Sequence, residues 1–186
     1  MAQMIKTSIG SAAKEILVNL VGSTLESVSG PGLPSYLISP RIFVSTSKGN
    51  VELFGDVEDS PIADFEGVMS TLNVDVALRE EVELAKTQGN VYRQKSGMDI
   101  TSVRVIRETA TCTNGGSLNW VYESDIGILL VLSGGFLVVS KLGQHDEALK
   151  VQFLDEFNPM IVERLDSYFE SDLIQNIVYS REVVTI

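Results

Sequence analysis

Short apolar and alternating runs separated by polar turns mark this chain, most clearly from Leu118 to Phe153, which reads as a meander of four short strands. Leu118, Trp120 and Tyr122 alternate with Asn119, Val121 and Glu123, the pattern of a strand with one buried face. Ser124-Asp125 interrupts the run, Ile126 to Leu132 is nearly continuous apolar, and Ser133-Gly134-Gly135 has the composition of a hairpin turn. Phe136 to Lys141 and Ala148 to Leu154 complete the meander across a polar loop at 142–147. Upstream, Arg41 to Thr46 and Val51 to Phe54 flank Ser47-Lys48-Gly49-Asn50 as a first hairpin. Ile100 to Thr109 reads as a strand joined to the meander by Asn114-Gly115-Gly116, and Ile174 to Ile186 as a last strand. Residues 55–71, with Pro61 and several acids, read as irregular.

Helical spacing predicts three further elements. Ile5, Ile9, Ala12, Ile16, Leu20 and Leu25 form a stripe that predicts an amphipathic helix over 4–28, weakened by Gly10 and Gly22 at ~1 kcal/mol each. Ser29-Gly30-Pro31-Gly32-Leu33-Pro34 ends it and is the candidate hinge. Val74, Leu78, Val82 and Ala85 predict a helix over 74–87, with Asn73 as its cap. Asn158-Pro159 opens a third helix over 158–170, with Phe157 set to staple onto Val162. The expected fold is therefore α+β: an antiparallel sheet of about five to seven strands, with the meander at its centre and three helices packed on it.

Composition narrows the class. The chain has 186 residues, 44% of them apolar, and a mean hydropathy of +0.17, which predicts a globular single domain over 1–186. No apolar run approaches the ~20 residues of a membrane-spanning helix, and Lys14-Glu15 interrupts any secretory core. One cysteine, Cys112, cannot form an intrachain disulfide, which fits a reducing compartment, the cytoplasm of a cell or of a virus-infected cell. The net charge of -11 is shared by both halves of the chain, so direct nucleic-acid binding is disfavoured. An acidic surface speeds encounter with a basic partner instead.

The chemistry-bearing residues are few. His145, the single histidine, sits beside Asp146 and is the one candidate general base, but no nucleophile motif accompanies it. A triad of Cys112, His145 and a carboxylate has no spacing to support it. Asp56, Glu58, Asp59, Asp64 and Glu66 form the densest acidic cluster. It fails the EF-hand pattern, because Pro61 occupies the glycine position and Gly67 the bidentate glutamate position. One histidine and one cysteine cannot assemble a zinc site of His/Cys type. The glycine turns precede no helix and carry no Gly-Lys-Ser/Thr, so no phosphate loop, cofactor or metal is expected. Trp120 and Tyr122 read as core rather than as a stacking platform.

The function expected from these features is a small acidic binding module without catalysis, of the inhibitor or immunity type, occluding a basic protein partner through Asp56, Glu58, Asp59, Asp64 and Glu66. One alternative is a structural or oligomeric component, for instance of a viral particle, using residues 4–28 as an arm. Another is a small-ligand binder or enzyme with a pocket near the meander and His145 and Asp146 at its mouth.

Overall fold

A computed structural model describes residues 2–31, 33, 37–59, 68–143, 146–162 and 176–186. The chain begins with β1 (Gln3–Thr7), α1 (Ser11–Val18), β2 (Leu25–Ser29), β3 (Ile38–Ser39), β4 (Arg41–Thr46) and β5 (Gly49–Asp59). It continues with β6 (Val68–Val76), α2 (Arg79–Gln88), β7 (Val91–Tyr92), β8 (Ile100–Asn114) and β9 (Ser117–Leu132). β10 (Gly135–Lys141), β11 (Leu149–Leu154), a 3-10 turn (Pro159–Ile161) and β12 (Asn176–Thr185) close it. No helix among the described residues is long and apolar enough to cross a membrane.

The fold is α+β with mainly antiparallel strands, but it is built from two sheets rather than one. A seven-stranded sheet runs β12-β8-β9-β10-β11-β3, with β1 added parallel to the first half of β9. A five-stranded sheet runs β6-β5-β4-β2-β7. Their inner faces form one core, in which Val28, Ile42, Val44, Leu53 and Leu72 meet Val105, Ile128, Leu130, Leu137 and Val139. Burying each such side chain contributes ~1.5–3 kcal/mol, so this seam dominates the stability of the fold. Helix α1 inserts Leu17 into the same core, and α2 packs Val82 and Ala85 on Phe43 from the opposite face of the five-stranded sheet. The outer face of the seven-stranded sheet is covered near Ile106 and Leu129 by Phe157 and Val162.

The expectation of one sheet of five to seven strands carrying three helices is therefore corrected to two sheets and, among the described residues, two α-helices. The helix expected over 4–28 is a strand, a short helix and a second strand. Gly10 is extended at the start of α1, and Gly22, at φ +74°, turns the chain out of it. Residues 3–29 thus contribute to both sheets, and Ile5, Ile9, Leu17, Leu20, Leu25 and Val28 are buried there rather than free as an arm.

The helix expected from Val74 starts at Arg79, because Val74 and Val76 pair with Leu53 and Val51 as the end of β6. Asn73 is a strand residue opposite Phe54, not a cap. The stretch read as irregular holds the end of β5 and all of β6, while 60–67 fall outside the described residues. At the C-terminal side, Asn158 Oδ1 does accept from Met160 N at 3.0 Å, but the helical turn is 3-10 and Val162 is already extended. The rest of the helix expected to 170 lies outside the described residues. Phe157 and Val162 join one cluster as the staple requires.

Of the meander, the first two expected strands are one. β9 passes through Ser124-Asp125 without a break, with Ile126 bulged out of register between Asp125 and Gly127. The turns at 115–116 and 133–134 connect the strands as expected.

One close approach couples the two sheets on the side away from α1. Gly55, in β5, lies under the loop between β10 and β11, where a Cβ would stand 2.1 Å from the carbonyl oxygen of Glu147. That contact holds Glu147 over the five-stranded sheet, and Asp146 Oδ1 braces the loop by accepting from Ala148 N at 2.8 Å. Gly55→Ala is expected to displace the loop and to cost about 1–3 kcal/mol, the range for forced overpacking. Urea unfolding checks it; unchanged stability would show that the loop does not press on β5.

Candidate functional site

Two places gather polar chemistry. The first lies within the seam. Lys141 ends β10 on the same face as Leu137 and Val139, so its side chain enters the core and is 1% exposed. Its Nζ donates to the carbonyl oxygen of Ser70 in β6 at 2.6 Å and to Ser124 Oγ in β9 at 3.0 Å. Ser70 Oγ in turn donates to Gly143 O at 3.0 Å, and Ser124 Oγ also accepts from Thr7 Oγ1 at 2.9 Å. Burial pushes the Lys141 ammonium down to about 7, against the opposing pull of Glu108 and Asp125. Both carboxylates are already engaged. Asp125 accepts from Arg107 Nε and from Ile9 N, each at 2.8 Å, and Glu108 pairs with Arg181. The Asp125 hydrogen bond raises the Arg107 guanidinium above its ordinary value.

A hydroxyl 3.0 Å from an amine that loses its proton near neutrality has the outline of a nucleophile and its base. Catalysis also needs room for a reacting atom beside both groups. Ser124 and Lys141 are each 1% exposed, so the pair is sealed between the sheets. The arrangement is a polar clamp joining β6, β9 and β10.

The second place is open. On the outer face of the five-stranded sheet a groove of about 720 Å³ runs between β4–β6, the start of α2 and the 146–148 loop. Register explains its charge. Glu52 stands directly opposite Asp75, and Arg41 reaches diagonally from β4 to place Nε on Glu52 Oε1. The guanidinium sits 5.7 Å from the Phe43 ring centroid, and the Glu52 contact raises its pKa above the ordinary value. Asp56 lies two residues beyond Phe54 on the same strand face, and Glu147 hangs in from the loop that Gly55 admits. Glu81 accepts from Leu78 N at 2.9 Å and so fixes the first turn of α2 at the rim. Among the described residues Asp56, Asp75 and Glu147 have no cationic partner. Val76 and Leu78, 61% and 60% exposed, supply an apolar border.

No family model, curated protein or solved structure matches this chain. The site therefore rests on its own geometry.

Of the acidic residues singled out in the sequence, Asp56 lines the groove, and Glu58 and Asp59 are exposed further along β5. Asp64 and Glu66 lie outside the described residues, as does His145. Asp146 is exposed and serves its loop. Cys112 is buried against Trp120 and Ala110, and burial pushes its thiol up. Trp120 and Tyr122 are buried in the same cluster, whereas Leu118 is 48% exposed.

Sequence reasoning missed Lys141 and the rest of the groove. For Lys141 a signal existed, since it continues the period-two face of Leu137 and Val139. Glu52, Asp75, Glu81 and Glu147 come from separate segments, and no local spacing links them.

The depressed Lys141 pKa has a definite sign in stability. Between pH 7 and the ordinary lysine value near ~10.4, the unfolded chain holds a proton that the folded chain has lost. Stability should therefore rise with pH from 7, at up to ~1.4 kcal/mol per pH unit, with the full burial cost present below 7. The raised Cys112 thiol acts in the opposite sense once unfolded thiols ionise near ~8.5, so the window to read is pH 7–8.5. Urea unfolding across that window should show the slope in the wild type and lose it in Lys141→Met. An equal slope in both would remove Lys141 as its source.

Proposed function

We propose that this protein is a non-catalytic binding protein that occludes a protein partner by receiving a basic segment of it in the outer-face groove. The observation that carries this reading is the pair Glu52 and Asp75, directly opposed across β5 and β6. Like charges in that position are destabilising, and Arg41 compensates only the Glu52 side. Asp56, Asp75 and Glu147 then present uncompensated charge around Phe54, with Val76 and Leu78 as an apolar border. A lysine or arginine side chain suits such a lining, with its stem on apolar carbon and its head among carboxylates. Glu58 and Asp59, exposed beyond Asp56, extend the acidic edge, and the net charge of -11 would speed the encounter. A reducing cytoplasmic setting suits the single buried thiol of Cys112.

The reading is tested by calorimetric titration with a synthetic hexa-arginine peptide at low and at moderate salt. Asp56→Lys/Asp75→Lys replaces two exposed groove acids and should weaken binding at least ~10-fold, equivalent to ~1.4 kcal/mol. Glu26→Lys/Glu156→Lys makes the same change in net charge at exposed positions outside the groove and should bind nearly as the wild type does. Equal weakening in both variants would leave a diffuse charge effect and overturn the groove assignment.

A further inference from the structure

We infer that α2 is a strap that lifts from the outer face of the five-stranded sheet while the sandwich stays folded, so that one wall of the groove is movable. Topology sets this up. β6 and β7 are the two edges of that sheet, and α2 is the segment that joins them, so it crosses the outer face from one edge to the other. Its 10 residues span ~15 Å as a helix, close to the ~19 Å across four strand spacings. Both ends are tied by backbone acceptors. Before the helix Ala77 N donates to Asn50 O at 3.0 Å. After it Asn90 N and Nδ2 donate to Leu33 O at 3.4 and 3.1 Å, just before β7 pairs with β2.

The middle of α2 is seated differently. β2 and β4 turn Val28, Ile42 and Val44 into the seam, so Ser29, Phe43 and Ser45 face outward beneath the helix. Ser29 stands directly opposite Phe43, and Ser45 follows it on the same strand face. Phe43 meets Ala77, Val82 and Ala85. Ser29 Oγ and Ser45 Oγ, in contrast, are buried with no hydrogen-bond partner. A buried hydroxyl without a partner costs its full desolvation, and water meets it as soon as its cover lifts. One valine and one alanine from α2, set against two such hydroxyls, hold the helix far less firmly than the seam holds the sheets. Helix α1 is the contrast, since it is shorter yet drives Leu17 fully into the seam. Leu78 and Glu81, at the start of α2, line the groove, so lifting α2 moves that wall and uncovers the sheet toward Phe43. This motion goes beyond the basic-segment reading and is independent of what fills the groove.

Amide hydrogen exchange of the whole chain, followed by mass spectrometry, tests the strap. Amides of residues 82–88 should exchange at least ~100-fold faster than those of β9 and β10, with little dependence on low urea, as for an opening that exposes little surface. Amides of α1 should stay protected. Exchange in α2 no faster than in β9 would overturn the inference, and so would equally fast exchange in α1, which would mark a property of any short helix here. Ser29→Ala/Ser45→Ala removes both hydroxyls without adding bulk and should slow exchange over 82–88 at least ~10-fold. Unchanged or faster exchange in that variant would overturn the role of the hydroxyls and the strap with it. Near-UV circular dichroism checks the variant's fold, and the wild-type comparison of α2 with α1 and β9 decides the matter should the variant not fold.

Discussion

Apolar packing between two sheets is the interaction on which the rest of this structure depends. Each sheet hides one face in it, and β1, α1 and β2 are drawn into both layers by the aliphatic residues they contribute. Dispersion and hydrophobic burial are non-directional, so they favour contact between the layers without setting their relative position. Directional groups are needed for that. Lys141 is one, since its amine spans from β10 to a backbone oxygen of β6 while also meeting β9. A buried amine satisfied mainly by neutral oxygens costs desolvation, and the same cost specifies one registry between the sheets. Gly55 is another such point, where the absence of a side chain lets a loop of one sheet rest on the backbone of the other.

The exposed chemistry follows from this use of the inner faces. With the seam filled by alternate residues of β4, β5 and β6, their intervening residues must point outward. Helix α2 covers that outer face only around Phe43, because its apolar stripe is short: Val82 and Ala85 are buried and Leu84 is exposed. What remains open is Phe54 and Asp56 with Asp75 at their side, while Glu52 is 6% exposed. The groove is thus the part of a sheet face that a short helix leaves open, and its charge is written at positions the core does not constrain. Local rules are broken there, with like charges opposed in register, and such conflicts concentrate where function rather than stability selected the residue.

Much of this was legible in the chain, and the failures have physical causes. Period-two alternation located β8 and the first half of β9, and continuous apolar runs bounded by turns located the second half of β9 and β10, which are buried on both faces. The pattern reports which residues are buried but not what buries them, so two packed sheets looked like one sheet under helices. Over residues 4–28 the spacing of Ile5, Ile9, Ile16 and Leu20 satisfied a helical stripe, although a left-handed turn at Gly22 ends that path. The second half of β5 was opaque for another reason. Asp56, Glu58 and Asp59 are exposed and Val57 is only half-buried, so alternation fades there although the strand pairs with the buried Met69 and Ser70 of β6. Ser124-Asp125 looked like a turn because polar residues in a buried strand are rare; here both are satisfied by partners distant in sequence. The acidic cluster was visible as composition, yet only Asp56 of it enters the groove, whose other carboxylates arrive by topology.

The two polar places differ in what they offer a ligand. The pair with nucleophile and base character, Ser124 and Lys141, is shut inside the seam, and opening it would break the contacts that join the sheets. The open groove has the opposite properties. It is accessible and strongly charged, but the groups it presents are carboxylates and one arginine held by Glu52. Carboxylates at an open surface act through charge and hydrogen bonding, which suits recognition of a cation. Reactivity in this molecule is buried where it stabilises, and exposure is given to groups suited to recognition. The proposed binding role rests on that division more than on net charge, because the division would hold even if the remaining surface were neutral.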